Sequence, residues 1–562
     1  MQNEENKKAV LVVGAGLAGL QTALELADTD HRVYLTEKAP NIGGKAVQLK
    51  EGSLSPLVSE RIEAVRCHPN IQIITHVTLE RAKGEAGNFE VTLRREPLRV
   101  TEKCTDCGKC VQVCPIKPLN PFNEGLTLRT AIDHQSHGSA PGVYNIEKEP
   151  PICQQTCPVG IDIRGYVGMI ADGRYEEAYQ LIRERNPLPA ICGRVCNHPC
   201  EDRCNRGRED EPIAIDALKR FVADYCFQRR REGKWPAPQP VSRNGYGNVA
   251  VVGAGPAGLT CAHDLALKGH EVVVYEEAPV PGGMLYLGIP EYRLPRDVIM
   301  EEIDDIQQLG VDLRLNTPLG PEFTIDDLLG QDHKAVFLAI GAHKGLKLGV
   351  PGEDDFEGFL DCIVFLRRVN LGDQSKPGEK VIVIGGGNSA IDSARTALRL
   401  GSDEVTIAYR RSRKEMPANP WEVEEAIHEG VKIHYLAAPT RILGEKGKVK
   451  GMECIQMELG KPDSSGRRRP IPIKGSEFFV EADVIVPAIS QEPDLDFLHE
   501  DHGLNISRWN SFDVNTATME TNRPGIYAGG DAVTGPSTVI EAIAAGHVAA
   551  DAIDRYLRDK FR

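Results

Sequence analysis

The chain has 562 residues, enough for about four domains and internal cofactors, and its 66 basic against 81 acidic side chains, a net charge of −15, argue against nucleic acid as a partner. The amino terminus, MQNEENKK, has no apolar signal core and no stretch reaches the length of a membrane span, so a cytoplasmic protein is expected. Fifteen cysteines in that compartment point to metal or redox chemistry and not to structural disulfides.

Residues 10–20 (VLVVGAGLAGL) read as a strand, a tight turn and a helix. Gly14, Gly16 and Gly19 form a G-x-G-x-x-G turn, which lets backbone approach a pyrophosphate at the positive end of the helix. Glu37 closes the next apolar strand (RVYLTE) and is placed to accept ribose hydroxyls. The stretches QIITHVTLER and GNFEVTLRR follow as a β-meander. Cys104-x2-Cys107-x2-Cys110-x3-Cys114-Pro115 then gives the ferredoxin spacing of a [4Fe–4S] cluster, with a structural zinc site as the rival.

Cys153-x3-Cys157-Pro158 opens a mainly helical segment (YEEAYQLIRERNP, AIDALKRFVADYC) that a Pro-rich linker, WPAPQPVSRNG, closes. Within it Cys192, Cys196, Cys200 and Cys204 recur every four residues, a helical spacing that sets thiols on one face. These ten cysteines supply at most two four-thiolate clusters. Cys67, Cys226, Cys261, Cys362 and Cys454 stand alone among apolar or helical residues and read as core thiols.

Residues 249–259 (VAVVGAGPAGL) repeat the first unit at an offset of 239 residues without insertion or deletion. Gly253, Gly255, Gly258 and Glu276 match Gly14, Gly16, Gly19 and Glu37, and Gly282-Gly283 match Gly43-Gly44, so the unit is duplicated. A third strand, KVIVI, runs into Gly385, Gly386, Gly387, Asn388, Ser389 and Ala390, a G-x-G-x-x-A variant. The strand after it (EVTIAY) ends in Arg410 and Arg411 instead of an acid, which suits a 2′-phosphate and favours NADP(H) over NAD(H), a solvated basic loop being the alternative.

From about residue 150 onward stand CGRVC, GGMLYLGIPEYRLP, FLAIGAHKG, GGGNSAIDSARTALRLG, YRRSRKEMPA and YAGGDAVTGPSTVIEAIAAG. Through them this part of the chain resembles the small subunit of bacterial glutamate synthase and its relatives, the flavin half of dihydropyrimidine dehydrogenase and NADPH-dependent ferredoxin-linked transhydrogenases. Residues 1–147 resemble the flavin subunit of heterodisulfide reductases, through VLVVGAGLAGLQTALELA, NIGGK, GEAGNFEVTLRR and the ferredoxin run followed by FNEGLTLRTAI. Glutamate synthase relatives carry an extra C-x-x-C before the cysteines matching Cys153 and Cys157, and several place Gln or Glu where this chain has Lys219. Both features are missing, so one cluster of that family is expected to be absent or displaced, with the Cys104 run as a replacement.

A complete flavin domain needs a later strand, here ending at Gly341, and a ribitol-binding acid, here Gly530-Asp531, followed by a helix aimed at the ring, here opening near Val539. The first copy has neither, so it either grips a second FAD by its ADP half or serves as a packing or docking module. Glu541 is read as a solvent-facing helix residue. No C-x-x-C lies between Val381 and Pro487, so a thioredoxin-reductase type of disulfide is set aside.

The expected fold is α/β, a two-dinucleotide-binding FAD/NADP flavoprotein with an α-helical iron–sulfur domain, a ferredoxin-like insert and an N-terminal partial Rossmann unit. Its expected segments are 1–100 (partial Rossmann), 101–147 (ferredoxin-like), 148–240 (helical iron–sulfur), 246–362 with 488–562 (FAD) and 363–487 (NADP). The expected function is transfer of electrons between NAD(P)H and a separate redox or catalytic subunit through FAD and two [4Fe–4S] clusters. That partner would be a ferredoxin, a molybdenum or tungsten enzyme, a reductase, or a glutamate synthase large subunit. The alternatives are a bifurcating subunit with two FADs and a non-catalytic relay scaffold.

Overall fold

The computed structural model describes residues 9–39, 41–44, 46, 54–85, 87–95, 108–113, 130, 132–134, 144–146, 150–463, 465–499 and 501–561. The chain divides into two compact units, 1–150 and 151–562.

In the first unit the strands Ala9–Val13, Arg32–Glu37 and Ile71–Thr75 form a parallel sheet in that order. Leu20, Ala23, Leu24 and Ala27 of the helix Leu17–Asp28 pack on Val33 and Leu35, the apolar stripe that a 3.6-residue period predicts. The strands Val77–Glu85 and Asn88–Arg95 make a separate antiparallel hairpin. Ala9–Val13 is an edge strand among the described residues, and Val13 is 57% exposed.

The second unit holds the same sequence motif in a different setting. Its sheet runs Asp312–Arg314, Glu271–Tyr275, Asn248–Val252, His333–Leu338, Ile526–Ala528, all parallel, so the glycine-turn strand Asn248–Val252 is central. Its Val and Ala residues are buried on both faces, as a covered parallel sheet requires. A second parallel sheet, Lys432–Tyr435, Glu404–Tyr409, Lys380–Ile384, Val484–Pro487, falls in the chain between His333–Leu338 and Ile526–Ala528. A two-stranded ribbon, Lys344–Gly345 with Gln491–Glu492, pairs the two connections between these sheets.

Residues 151–231 are helical and share one core with the first of these sheets. Both oxygens of the buried Glu302 carboxylate accept amide N–H groups at the start of the helix Pro189–Val195, from Ala190 at 2.6 Å and Ile191 at 3.0 Å. This cap is contributed from across the interface, and burial pushes the Glu302 carboxyl up to about 8 against the pull of those two amides. Asp305 adds Arg183 at 2.8 Å and Arg230.

The four-residue cysteine spacing does not lie on one helix. The helix Pro189–Val195 stops at Cys196, a short helix Pro199–Asp202 follows, and a 3-10 turn, Asn205–Arg208, ends the run. His198 sits at φ +36° and Pro199 has no N–H to continue the ladder, which breaks the helix where periodicity alone extends it.

Candidate functional site

A cavity of about 420 Å³ lies in the second unit, within the usual range for a cofactor site. Gly253, Gly255, Glu276, Gly283, Gly341, Gly530, Asp531 and Val539 line it from the flavin-type sheet. Asn388, Ser389 and Asp392 enter from the second sheet, and Val195 and Asn197, on either side of Cys196, enter from the helical segment. Three stretches far apart in sequence therefore meet at one space.

The glycines are fitted to a dinucleotide. A Cβ on Gly258 would stand 2.0 Å from the Gly253 carbonyl, so the helix Pro256–Leu267 seats directly on its strand. Gly253, at φ +102°, lies under the Ala339 carbonyl, whereas Gly255 faces open space. Glu276 accepts the Ala254 amide at 2.7 Å and the Ala278 amide at 2.8 Å, which orients its carboxylate beside the turn. Burial raises its pKa against the pull of those amides. Asp531 accepts the Ser537 amide at 3.1 Å, and burial pushes it up to about 6. Glu541 is exposed and accepts from Ser537 and Thr538, capping the helix Val539–Phe561. These residues would hold FAD, and the donor set and cradle fit it.

At the second sheet, the Gly385–Ser389 turn feeds the helix Asn388–Arg399, with Gly387 facing open space. The two arginines differ. Arg411 is buried, paired to Asp463 at 2.8 Å and donating to the Arg468 carbonyl at 2.8 Å, so it braces the strand Arg468–Glu481 and is not free for a phosphate. Arg410 is exposed, with no ion pair or hydrogen bond among the described residues, and Lys414 is exposed nearby in the chain.

Sequence reasoning missed Arg293 and Asp392. Arg293 Nη1 reaches Asp392 at 2.6 Å and its Nε lies 2.9 Å from Glu422. Asp392 keeps one carboxylate oxygen, Oδ1, buried without a partner while lining the cavity. Its place one turn after Asn388 was the available signal.

Cys153, Cys157, Cys192, Cys196, Cys200 and Cys204 are all free thiols. Cys196 and Cys157 both raise the Cys200 thiol, Cys157 also raises Cys196, Cys196 raises Cys192, and Cys204 raises Cys153, so these thiols lie near one another. Burial pushes the Cys200 thiol up to about 12 and raises Cys192 and Cys196, while the Lys219 charge works the other way on all three. Lys219 is only 5% exposed and lies 2.7 Å from Asp216. Burial opposes its charge, but Asp216 and the neighbouring thiols outweigh that, holding the ammonium well above the usual lysine range. At Cys204 burial pulls upward, but the Ile213, Arg206 and Gly207 amides prevail and lower it.

Among the described residues no three His, Cys, Asp or Glu side chains converge on one metal ion. Cys192, Cys196 and Cys200 share the buried Lys219 as a neighbouring positive charge, and the four-thiolate chemistry of an iron–sulfur cluster is what this set of side chains would supply. Cys110 is exposed on the short helix Lys109–Val113, and Cys104, Cys107 and Cys114 lie outside the described residues. Of the cysteines expected in the core, Cys226, Cys261, Cys362 and Cys454 are buried, but Cys67 is exposed and donates to Glu63. It ends the helix Leu54–Cys67, where helical periodicity does not decide exposure.

The N-terminal turn copies the cradle but not its cover. Glu37 accepts Ala15 at 2.8 Å and Ala39 at 2.9 Å, and a Cβ on Gly19 would stand 1.9 Å from the Gly14 carbonyl, as in the second copy. A Cβ on Gly14 would meet nothing within 4 Å, where Gly253 meets Ala339 at 2.4 Å. Among the described residues of that unit no strand corresponds to His333–Leu338.

The pyridine nucleotide-disulphide oxidoreductase profile matches residues 247–546, more than half of the chain. The chain belongs to that family. Three further profiles match: dihydropyrimidine dehydrogenase domain II, 4Fe-4S cluster, over 146–231, a 4Fe-4S binding domain over 98–119, and an FAD binding domain over 9–61. Among related family members, the NADP(+)-dependent formate dehydrogenase subunit beta of Moorella thermoacetica is 48% identical over 425 residues, 72% of this chain and 60% of that one. The NADPH-Fe(3+) oxidoreductase subunit beta of Geobacter sulfurreducens is 44% identical over 439 residues, 74% and 65% of the two chains. The glutamate synthase [NADPH] small chain of Escherichia coli K12 is 35% identical over 460 residues, 79% and 94%. The chain thus spans less than two thirds of the first two relatives. No helix among the described residues is long and apolar enough to cross a membrane.

Proposed function

We propose that this chain is an NAD(P)H-dependent oxidoreductase subunit that passes electrons between the nucleotide and a separate redox or catalytic subunit through FAD and iron–sulfur clusters. The observation that carries this reading is the shared cavity: the Gly253–Gly255 turn, Asn388–Ser389 and the residues flanking Cys196 all open onto it.

FAD held there would take a hydride from NADPH and release its electrons singly. The Gly253, Gly255 and Gly283 backbone bounds the pyrophosphate space, and Glu276 receives ribose hydroxyls beside it. Asp531 holds the ribityl chain. Asn388 and Ser389 place the nicotinamide end, with the open Asp392 oxygen as an acceptor for its amide. Arg410 meets the 2′-phosphate, which favours NADP(H). Cys157, Cys196 and Cys200 would ligate one cluster, whose negative charge Lys219 would offset, and the Cys104–Cys114 run would hold the second. Relatives named as beta or small chains support a partner subunit. A second FAD on the Gly14–Glu37 cradle would support bifurcation instead, and FAD per chain discriminates the two. The test is anaerobic reduction by NADPH with flavin and cluster absorbance followed together, and no bleaching by either nucleotide contradicts the reading.

A further inference from the structure

Outside the cavity, one aromatic contact joins the nucleotide turn to the cysteine loop. The Trp421 indole stacks on the His198 imidazole, ring centroids 4.9 Å apart and planes at 18°. Trp421 follows Pro420 at the start of the helix Pro420–Glu429, and His198 lies between Cys196 and Cys200. Trp421 is 44% exposed, so burial alone does not account for its position.

The stacked His198 lies in a left-handed backbone state that non-glycine residues rarely adopt. At φ +36° and ψ 56° its amide N–H points to Cys196 Sγ, 3.4 Å away. Glu201 lies 3.5 Å from the ring Nδ1. An N–H donated to a ligating sulfur withdraws negative charge, which favours the reduced cluster and raises its potential.

The other end of the segment is pinned to the glycine turn. The Ala418 amide donates to the Gly386 carbonyl at 3.1 Å, and the Asn419 amide donates to Asn388 Oδ1 at 3.0 Å. Asn388 also lines the cavity, so a dinucleotide there competes for the same side chain. The path from nucleotide to sulfur is therefore Asn388, Asn419, Trp421, His198, Cys196.

Resting on the electron-transfer reading above, we propose that Trp421 is a positioning residue that couples nucleotide occupancy of the Gly385–Ser389 turn to the cluster ligated by Cys196, by fixing the His198 amide on its sulfur. The coupling is reciprocal: a nucleotide that shifts the cluster potential binds the reduced and oxidised protein with different affinity.

The test is mediated potentiometric titration of the anaerobic holoprotein, followed by electron paramagnetic resonance, with and without NADP+. Wild type, Trp421→Ala, Trp421→Phe and His198→Gly are compared, the glycine being chosen because it tolerates the backbone state while removing the ring. NADP+ is expected to shift the midpoint and line shape of one cluster in wild type and in Trp421→Phe. Trp421→Ala and His198→Gly lose that shift, and the nucleotide-free midpoint of Trp421→Ala falls. An NADP+ effect of the same size in Trp421→Ala, or none in wild type, overturns the proposal. Mediators and dithionite set the potential, so the coupling is read even if NADPH fails to bleach the flavin, an outcome that contradicts the electron-transfer reading alone. A purified chain without any cluster overturns both.

Discussion

Arg293 and Asp392 form a buried ion pair, 2.6 Å between Nη1 and Oδ2, that ties the cofactor-facing segment of one sheet to the nucleotide helix of the other. Their side chains are 9% and 5% exposed, and Arg293 also serves Glu422, which in turn binds Arg395 at 2.8 Å. Burial pushes the Asp392 carboxyl upward, and Arg293 opposes that first. Arg293→Met would leave two buried carboxylates without this partner, a loss of about 3–5 kcal/mol for a broken buried pair. Thermal unfolding should show a large fall in Tm, and NADPH-driven flavin reduction should slow in the surviving folded protein. An unchanged Tm would contradict the assigned role.

His547 gives a pH-dependent link. Nδ1 is bonded to Asp264 and Nε2 lies 2.9 Å from the Arg185 carbonyl, so both nitrogens donate only in the imidazolium. Burial opposes that charge, the Asp264 bond outweighs it, and the pKa lies above the ordinary value. The folded state then holds more protons than the unfolded one. This contribution is complete below about pH 6.5, the unfolded value, and is lost as pH rises through the folded one. Asp264 works in the opposite direction: despite burial, His263 and His547 hold it below its ordinary value, so its contribution is lost as pH falls from about 4. His547→Gln should remove the alkaline-side slope of urea stability measured between pH 6 and 9, to order of magnitude, while wild type keeps it.

Arg410 and Arg411 should separate cleanly. Arg410→Ala is expected to raise the KM for NADPH about tenfold, the order of one charge-assisted contact, with little change for NADH. Arg411→Ala should instead lower Tm, because it breaks the pair with Asp463. Steady-state dye reduction and differential scanning fluorimetry together distinguish the two outcomes.

Lys219→Met should lower iron bound per chain and leave FAD unchanged, because the ammonium faces thiols and Asp216 while Glu276 and Asp531 remain intact. Cys196→Ser is expected to do the same, whereas Cys454→Ser, a buried thiol in a different core, should keep full iron. Iron and flavin analysis of the purified variants reads this directly.

The glycine turns and their acids were legible because their chemistry is local: a strand, three glycines and an acid at fixed spacing dictate one backbone shape, which Glu37 and Glu276 realise with the same pair of amide contacts. The later strand expected to be missing from the first copy is not found beside Ala9–Val13 among the described residues. The helix through the cysteines was not, because periodicity carries no account of Pro199 or of the left-handed His198. Nor did spacing show that Arg411 is spent on Asp463, 52 residues away, or that Arg293 meets Asp392, 99 residues away. Such partners are set by how the two sheets pack, and local sequence does not encode that distance.

The most direct test is anaerobic titration of the full-length protein with NADPH, and separately NADH, following flavin and cluster absorbance with FAD and iron determined per chain. The proposed function predicts rapid bleaching of flavin by NADPH, reduction of the clusters in its wake, and about eight irons for two [4Fe–4S] clusters. A flavin-loaded protein that neither nucleotide bleaches would contradict it and leave an electron-relay scaffold.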